Sequence, residues 1–360
     1  MNYSWRTRAL ALVLTAVMVF GFLPTGAIAA ATKATAEVDG GLESIGMTVV
    51  TDKESTLAPG VTMNEIVLYD ANGKRVEMYL TTSDPAVETV QFYANYMDNQ
   101  NLSYGLQTLS DQVAAMEANY EEPFKVVAGL NASYYNTTTG KPTGAFVMEG
   151  IDVTKESEGN NYAFFAVLKD GSVMIGNKGE YSNYKGQIKE AIGGYVHILK
   201  DGVVASGLDK TTKYPRQTIG ITADGKVITM TADGSQTQTV GLTIQEQAEV
   251  MLALGCVDAL HLDGGNSATF GAVREGADKF TTVNSPSGGA ERAVSNTLVI
   301  VSTAVADGAF DHAVISGEYE YQLPYTTTSF SAVGVDATNA PAEIPETSKC
   351  MEDVFKRSLL

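Results

Sequence analysis

The stretch "ALHLDGGNSATF", from Ala259 to Phe270, places an ionisable side chain where an apolar strand ends. Asp263 closes that strand, and Gly264 and Gly265 follow it directly. Successive side chains of a strand point to opposite faces, so Ala259, His261 and Asp263 share one face and Leu260 and Leu262 the other. Two residues without side chains let a ligand approach the backbone, and their N–H groups could hold an anion as a small nest. The same letters also read as a plain hairpin, with Asp-Gly as the turn and "ATF" as the returning strand.

Two arginines are the natural companions of such a carboxylate. Arg216 stands in "YPRQTIGI", just ahead of a strand, and Arg292 stands in "ERAVSNTLVIV", ahead of another. A guanidinium forks onto phosphate or carboxylate, although a surface ion pair is its ordinary use. In "GLNASYYN", Asn131 follows a buried strand and Tyr134 and Tyr135 come soon after. An amide beside aromatic rings suits a sugar, which offers hydroxyls and an apolar face. The alternative is an Asx turn with core tyrosines. If these residues act together, Asn131, Arg216, Asp263 and Arg292 must face one cleft.

Other chemistries fit less well. "GNSAT" has Thr269 where a nucleophile elbow needs glycine, and no helix pattern follows it, which argues against a serine hydrolase. The histidines are His197, His261 and His312, with no paired-histidine motif, so no metal site is expected. Gly-rich nucleotide loops are absent, and no cofactor is expected.

The elements that must position these residues are mostly strands. "IVLYDANGKRVEMYL", "FFAVLKDGSVMIG", "YVHILKDGVVAS" and "TIGITADGKVITMTADG" each read as a hairpin. Their turns are Asn72-Gly73, Asp170-Gly171, Asp201-Gly202 and Asp224-Gly225. One helix is expected in "TLSDQVAAMEANY", capped at Thr108 or Ser110 and ending near Tyr120. A clearer one runs from Thr243 to Leu254, with Thr243 and Glu246 as a capping box and Gly255 as its stop. That cap accounts for Glu246 without a catalytic role. Cys256 reads as core. The expected fold class is α+β: mixed or antiparallel sheets with a few packing helices, in a single domain.

The chain has 360 residues, 44% of them hydrophobic, enough for one large core. Arg6 and Arg8, the apolar run from Ala9 to Leu23, and "AIA" at Ala27 to Ala29 read as a secretory signal peptide over 1–29. A linker is expected over 30–44, the main domain over 45–303, and a truncated β-rich, sandwich-like tail over 304–360. No other run is apolar enough to span a bilayer. The net charge is −18, and losing Arg6 and Arg8 with the leader would take it to −20. Such an acidic chain is a poor partner for nucleic acid or anionic lipid. Two cysteines, Cys256 and Cys350, make no disulfide framework. The expected location is secreted or at the cell surface, with attachment through further C-terminal modules.

Taken in order, "GLNASYYN", "PTGAF", "YPRQTIGI", "GLTIQEQAEVMLALGCVDALHLDGGNSATF" and "ERAVSNTLVIV" resemble the phosphodiester glycosidase family, from roughly Val61 to Val301. The family usually has Asn where His261 stands and Gly where Asn266 stands. The resemblance implies hydrolysis of the sugar C1–O bond in a sugar-1-phosphodiester, with phosphoglycan polymers as partners. It implies Arg216 and Arg292 on the phosphate, and Asp263 near C1 as nucleophile, base or orienter. Gly264, Gly265 and Ser267 would shape that wall, and Asn131 would meet sugar hydroxyls. Tyr134, Gly144, His261 and Asn296 complete the implied substrate-binding set. A non-catalytic glycan-binding or exopolysaccharide-assembly protein on the same fold is the alternative.

Overall fold

The structure, a computed structural model, describes residues 38–100, 103–317 and 329–346. The expected signal peptide, Cys350 and the final residues of the tail lie outside the described residues. In chain order the first strands are β1 (Thr48–Ala58), β2 (Val61–Tyr69), β3 (Arg75–Ser83), β4 (Val90–Tyr96) and β5 (Lys125–Asn131). Then come β6 (Phe146–Met148), β7 (Ile151–Asp152), β8 (Phe164–Leu168), β9 (Val173–Gly176), β10 (Ile188–Gly193), β11 (Val196–Lys200) and β12 (Val203–Val204). The main body closes with β13 (Arg216–Thr222), β14 (Val227–Ala232), β15 (Cys256–His261), β16 (Phe270–Ala272), β17 (Thr281–Thr282) and β18 (Asn296–Ser302). The tail carries β19 (His312–Gly317), β20 (Phe330–Val335) and β21 (Pro341–Ala342).

An eight-stranded sheet runs in the order β1-β2-β3-β14-β13-β15-β11-β12. Two five-stranded sheets run β7-β6-β10-β8-β9 and β17-β16-β5-β18-β4. The tail forms a separate three-stranded sheet, β19-β20-β21. Strand pairings among the described residues are antiparallel, so the fold is α+β with antiparallel rather than mixed sheets.

Local chemistry explains the hairpins. Asp201 and Gly202 both take positive φ, 50° and 75°, the twist that a two-residue hairpin needs. β13 and β14 pair from Arg216↔Ala232 to Ile221↔Val227, around Asp224-Gly225. The helix Ile244–Ala253 starts at a complete capping box: the Thr243 hydroxyl accepts from the Glu246 N–H at 3.1 Å, and the Glu246 carboxylate accepts from the Thr243 N–H at 2.8 Å. Gly255 follows at φ 86°, a left-handed stop. The helix Leu109–Glu117 is capped by Thr108.

The eight-stranded sheet is apolar on both faces. Ala248, Val250 and Met251 of the helix cluster with Ala259, Met230 and Cys256 on one side. Leu260 and Leu262 join Leu130, Phe146, Phe165, Phe270 and Leu298 on the other, between the sheets. Cys256 is core, and burial pushes its thiol up to about 12. The expected linker over 30–44 is helical over 38–44, and Leu42 is buried with Ile66 and Leu68. Polar composition suggested a spacer there, but Leu42 packs into the apolar cluster on the sheet face. The tail sheet rests on the turn after β16, where His312 Nε2 lies 3.0 Å from Glu275 Oε1. No helix among the described residues is long and apolar enough to cross a membrane.

Candidate active site

β15 does not turn back on itself. After His261 the chain passes Asp263 and a short 3-10 turn, Gly265–Ser267, and enters β16, which pairs with β5 in a different sheet. The plain-hairpin reading of "LDGGNSATF" is therefore replaced by a crossing between two sheets. Asp263 stands at that crossing. Its N–H donates to the Ala132 carbonyl at 2.9 Å, and its carbonyl accepts from Asn131 Nδ2 at 2.7 Å.

The glycines allow this close approach. A Cβ on Gly264 would lie 2.6 Å from the Pro215 carbonyl oxygen, so only glycine passes there. Gly265 takes φ +60°, has open space where a Cβ would go, and donates its N–H to the Pro215 carbonyl at 2.9 Å. That N–H is spent inside the fold. The glycines thus clamp the Asp263 turn to the start of β13 instead of forming an anion nest, and they bring Asp263 beside Arg216.

Asp263 is buried, and burial pushes its carboxyl up to about 6, with the Ser267 hydroxyl and the Arg292 charge pulling the other way. Its charge reaches Tyr134 and Tyr135, raising both phenols beyond the effect of their own burial. Tyr134 lies on one side, its hydroxyl 3.0 Å from His261 Nε2. Tyr135 lies on the other, with the Arg292 guanidinium 5.8 Å from its ring centre. Arg292 Nη1 donates to Ser267 Oγ at 3.3 Å and is otherwise exposed.

Arg216 is buried and acts differently. Its Nε donates to the Leu242 carbonyl and its Nη2 to the Thr212 carbonyl, each at 2.8 Å. Part of its fork is therefore held by backbone. Neither Arg216 nor Arg292 forms an ion pair among the described residues. Burial, helped by the Arg216 charge, holds His261 down at about 3, so this imidazole is neutral, and its Nδ1 is buried without a partner among the described residues.

Two expected sugar contacts have structural duties instead. Asn131 is 1% exposed; its Oδ1 accepts from Gln217 Nε2 at 2.8 Å and from the Thr269 N–H at 3.0 Å. Asn296 is fully buried, with Oδ1 accepting from the Ser133 N–H at 2.9 Å and Nδ2 donating to Ser133 Oγ at 3.1 Å. Both amides satisfy backbone groups at sheet ends, which is why they carry no free polar atoms to a sugar face. Gly144, at φ +85°, packs against Gly193 and the Tyr162 side chain, and so shapes the wall through its neighbours. Ser267 is 1% exposed but touches Arg292.

Two residues that the motifs did not signal complete the surroundings. Tyr195 is 56% exposed, with its ring centre 5.5 Å from that of Tyr134 and tilted against it; Tyr162 follows 6.3 Å beyond Tyr195. An aromatic after "GG" was the available signal, but its position beside Tyr134 depends on pairing of β11 with β15. Cavities of about 270 and 420 Å³ lie away from Asp263, one beside Tyr93 and Tyr120, the other beside Gln236 and Ser285. Among the described residues no three of His, Cys, Asp and Glu gather as metal ligands.

The body is antiparallel α+β, and its buried Asp263 carboxylate has Ser267 and Arg292 as neighbours. Residues 124–301 match the model of the phosphodiester glycosidase family. It is 29% identical over 159 residues to the mouse N-acetylglucosamine-1-phosphodiester alpha-N-acetylglucosaminidase, covering 39% of this chain and 30% of that protein. It is 37% identical over 92 residues to the SPbeta prophage-derived protein YomE of Bacillus subtilis, covering 26% of this chain and 13% of that one. The match thus spans less than a third of either relative. The catalytic domain of the zebrafish N-acetylglucosamine-1-phosphodiester alpha-N-acetylglucosaminidase, in a structure auto-inhibited by its pro-peptide, superposes with a TM-score of 0.55 at 22% identity, over 70% of this chain and 88% of that one. A Synechocystis protein superposes at 0.56 with 13% identity, over 70% and 64% of the two chains. These likenesses share the fold.

Proposed function

We propose that the protein is a secreted hydrolase that cuts the sugar C1–O bond of glycosyl-1-phosphodiesters in cell-surface or extracellular glycans. N-acetylglucosamine-1-phospho groups are the first substrates to try, because the relatives that match residues of this chain are named for them. The observation that carries the reading is Asp263: a buried carboxyl, pushed up to about 6, flanked by Ser267 and Arg292.

The C1–O bond breaks with its electron pair leaving on the phosphate monoester, which needs little protonation. Arg292, exposed and unpaired, receives the phosphate. Arg216, fixed by two carbonyls, contributes a buried positive field that favours an anion nearby. The Asp263 carboxylate faces the positive charge that develops at C1, and water adds to C1 and passes its proton to solvent. Neutral His261 and Tyr134 hold the wall beside it.

The test is release of N-acetylglucosamine from its 1-phosphate methyl diester by the parent protein and by Asp263→Asn. Turnover by the parent that the variant loses supports the reading. A folded parent without activity on any sugar-1-phosphodiester overturns it in favour of a glycan-binding protein.

A further inference from the structure

Tyr162, Tyr195 and Tyr134 form a continuous row that leads to the Asp263 corner. The ring centres of Tyr162 and Tyr195 are 6.3 Å apart at 35°, and those of Tyr195 and Tyr134 are 5.5 Å apart at 51°. The inner end is fixed by the Tyr134 hydroxyl at His261 Nε2, 3.0 Å away. The middle is fixed by the Tyr195 N–H, which donates to the His261 carbonyl at 2.9 Å.

Glycines press this row against the sheet. A Cβ on Gly194 would fall 2.3 Å from the Leu260 side chain, and one on Gly193 would fall 2.3 Å from the Thr143 carbonyl oxygen. The loop therefore lies flat on β15, and Tyr195 projects outward. Gly144 brings its backbone to 3.3 Å of the Tyr162 Cβ, measured from the position its own Cβ would take. A lone exposed tyrosine means nothing. Three in contact, anchored at a catalytic corner and leaving Tyr195 56% exposed, make a surface built for an occupant.

The rings step and tilt relative to one another, so no flat slot is formed for a planar base. A neutral pyranose fits: its axial C–H face packs on aromatic rings, and its rim hydroxyls meet phenol hydroxyls. We propose that Tyr162, Tyr195 and Tyr134 form a stacking subsite for a second pyranose ring, beyond the sugar whose C1–O bond is cut. This rests on the hydrolase reading above for the identity of the scissile bond.

The experiment compares two diesters of N-acetylglucosamine 1-phosphate: the methyl diester, and the diester to the 6-oxygen of methyl glucoside. Tyr195→Ala is expected to raise KM for the glucoside diester about tenfold, the worth of one lost aromatic contact, and to leave the methyl diester within about twofold. Tyr195→Trp should restore the parent KM. Equal effects on both diesters, or none on either, overturn the subsite. If the parent hydrolyses neither diester, calorimetric titration with N-acetylchitotriose decides separately. Binding that Tyr195→Ala abolishes supports the subsite while the hydrolase reading fails. Absence of binding by the parent at millimolar saccharide, or equal binding by both proteins, overturns it.

Discussion

Asn131 Nδ2 donates to the main-chain carbonyl of Asp263 at 2.7 Å, and with the bond from the Asp263 N–H to the Ala132 carbonyl it joins the end of β5 to the end of β15. The two strands belong to different sheets, so the position of the carboxylate is set by the amide of a residue 132 positions away. Asn131→Ala would strand the Asp263 carbonyl and the Thr269 N–H without their partner. The expected loss is about 2–4 kcal/mol of stability, read by urea denaturation, with activity falling as well. A raised KM with unchanged stability would instead make Asn131 a sugar contact.

Asp263→Asn should lower turnover of the sugar-1-phosphodiester at least about a hundredfold. Its melting temperature at neutral pH should equal or exceed the parent's, because a buried charge is removed. The sign follows from the raised carboxyl, which ionises near 6 when folded and at the ordinary lower value when unfolded. Between those values the folded protein binds more protons, so this group's contribution to stability declines as pH rises toward 6. Activity should run the opposite way, with an acid limb near pH 6 in kcat/KM. A rate profile flat from pH 5 to 8 would remove Asp263 from the chemistry.

The arginines should separate by measurement. Arg292 is exposed, with Ser267 Oγ and the Tyr135 ring as its close contacts, so Arg292→Ala should weaken substrate use at least about tenfold with stability within about 1 kcal/mol of the parent. Arg216→Ala leaves the Leu242 and Thr212 carbonyls unpartnered in the interior, and should also cost about 1–3 kcal/mol. Equal melting curves for the two variants would contradict this division.

Gly264→Ala and Gly265→Ala should differ in size of effect. The first drives a methyl to 2.6 Å from the Pro215 oxygen and must displace the Asp263 turn. The second meets open space and costs only its φ of +60°, about 1 kcal/mol. Activity should collapse in the first and persist in the second. The reverse order, read in parallel rate and denaturation assays, would show that the glycines serve a ligand and not the crossing.

Local rules were legible because local atoms enforce them. Asn-Gly and Asp-Gly fixed the turns at Gly73, Gly171, Gly202 and Gly225, all at positive φ, since few other residues tolerate that backbone. Thr243 and Glu246 cap their helix from three residues apart, and alternation marked Leu260 and Leu262 for burial. The ordered motifs pointed to the family. What neighbours each buried residue was decided elsewhere. "LDGGNSATF" reads equally as a hairpin or a crossing, and only the pairing of β16 with β5 chose between them. Asn131 and Asn296 looked like free amides and became strand-end fasteners; Arg216 spent two donors on carbonyls; Tyr195 reached Tyr134 through pairing of β11 with β15. A periodic pattern states which face of a strand leaves water. It carries no record of which distant strand covers that face, because that choice is made by the packing of whole sheets.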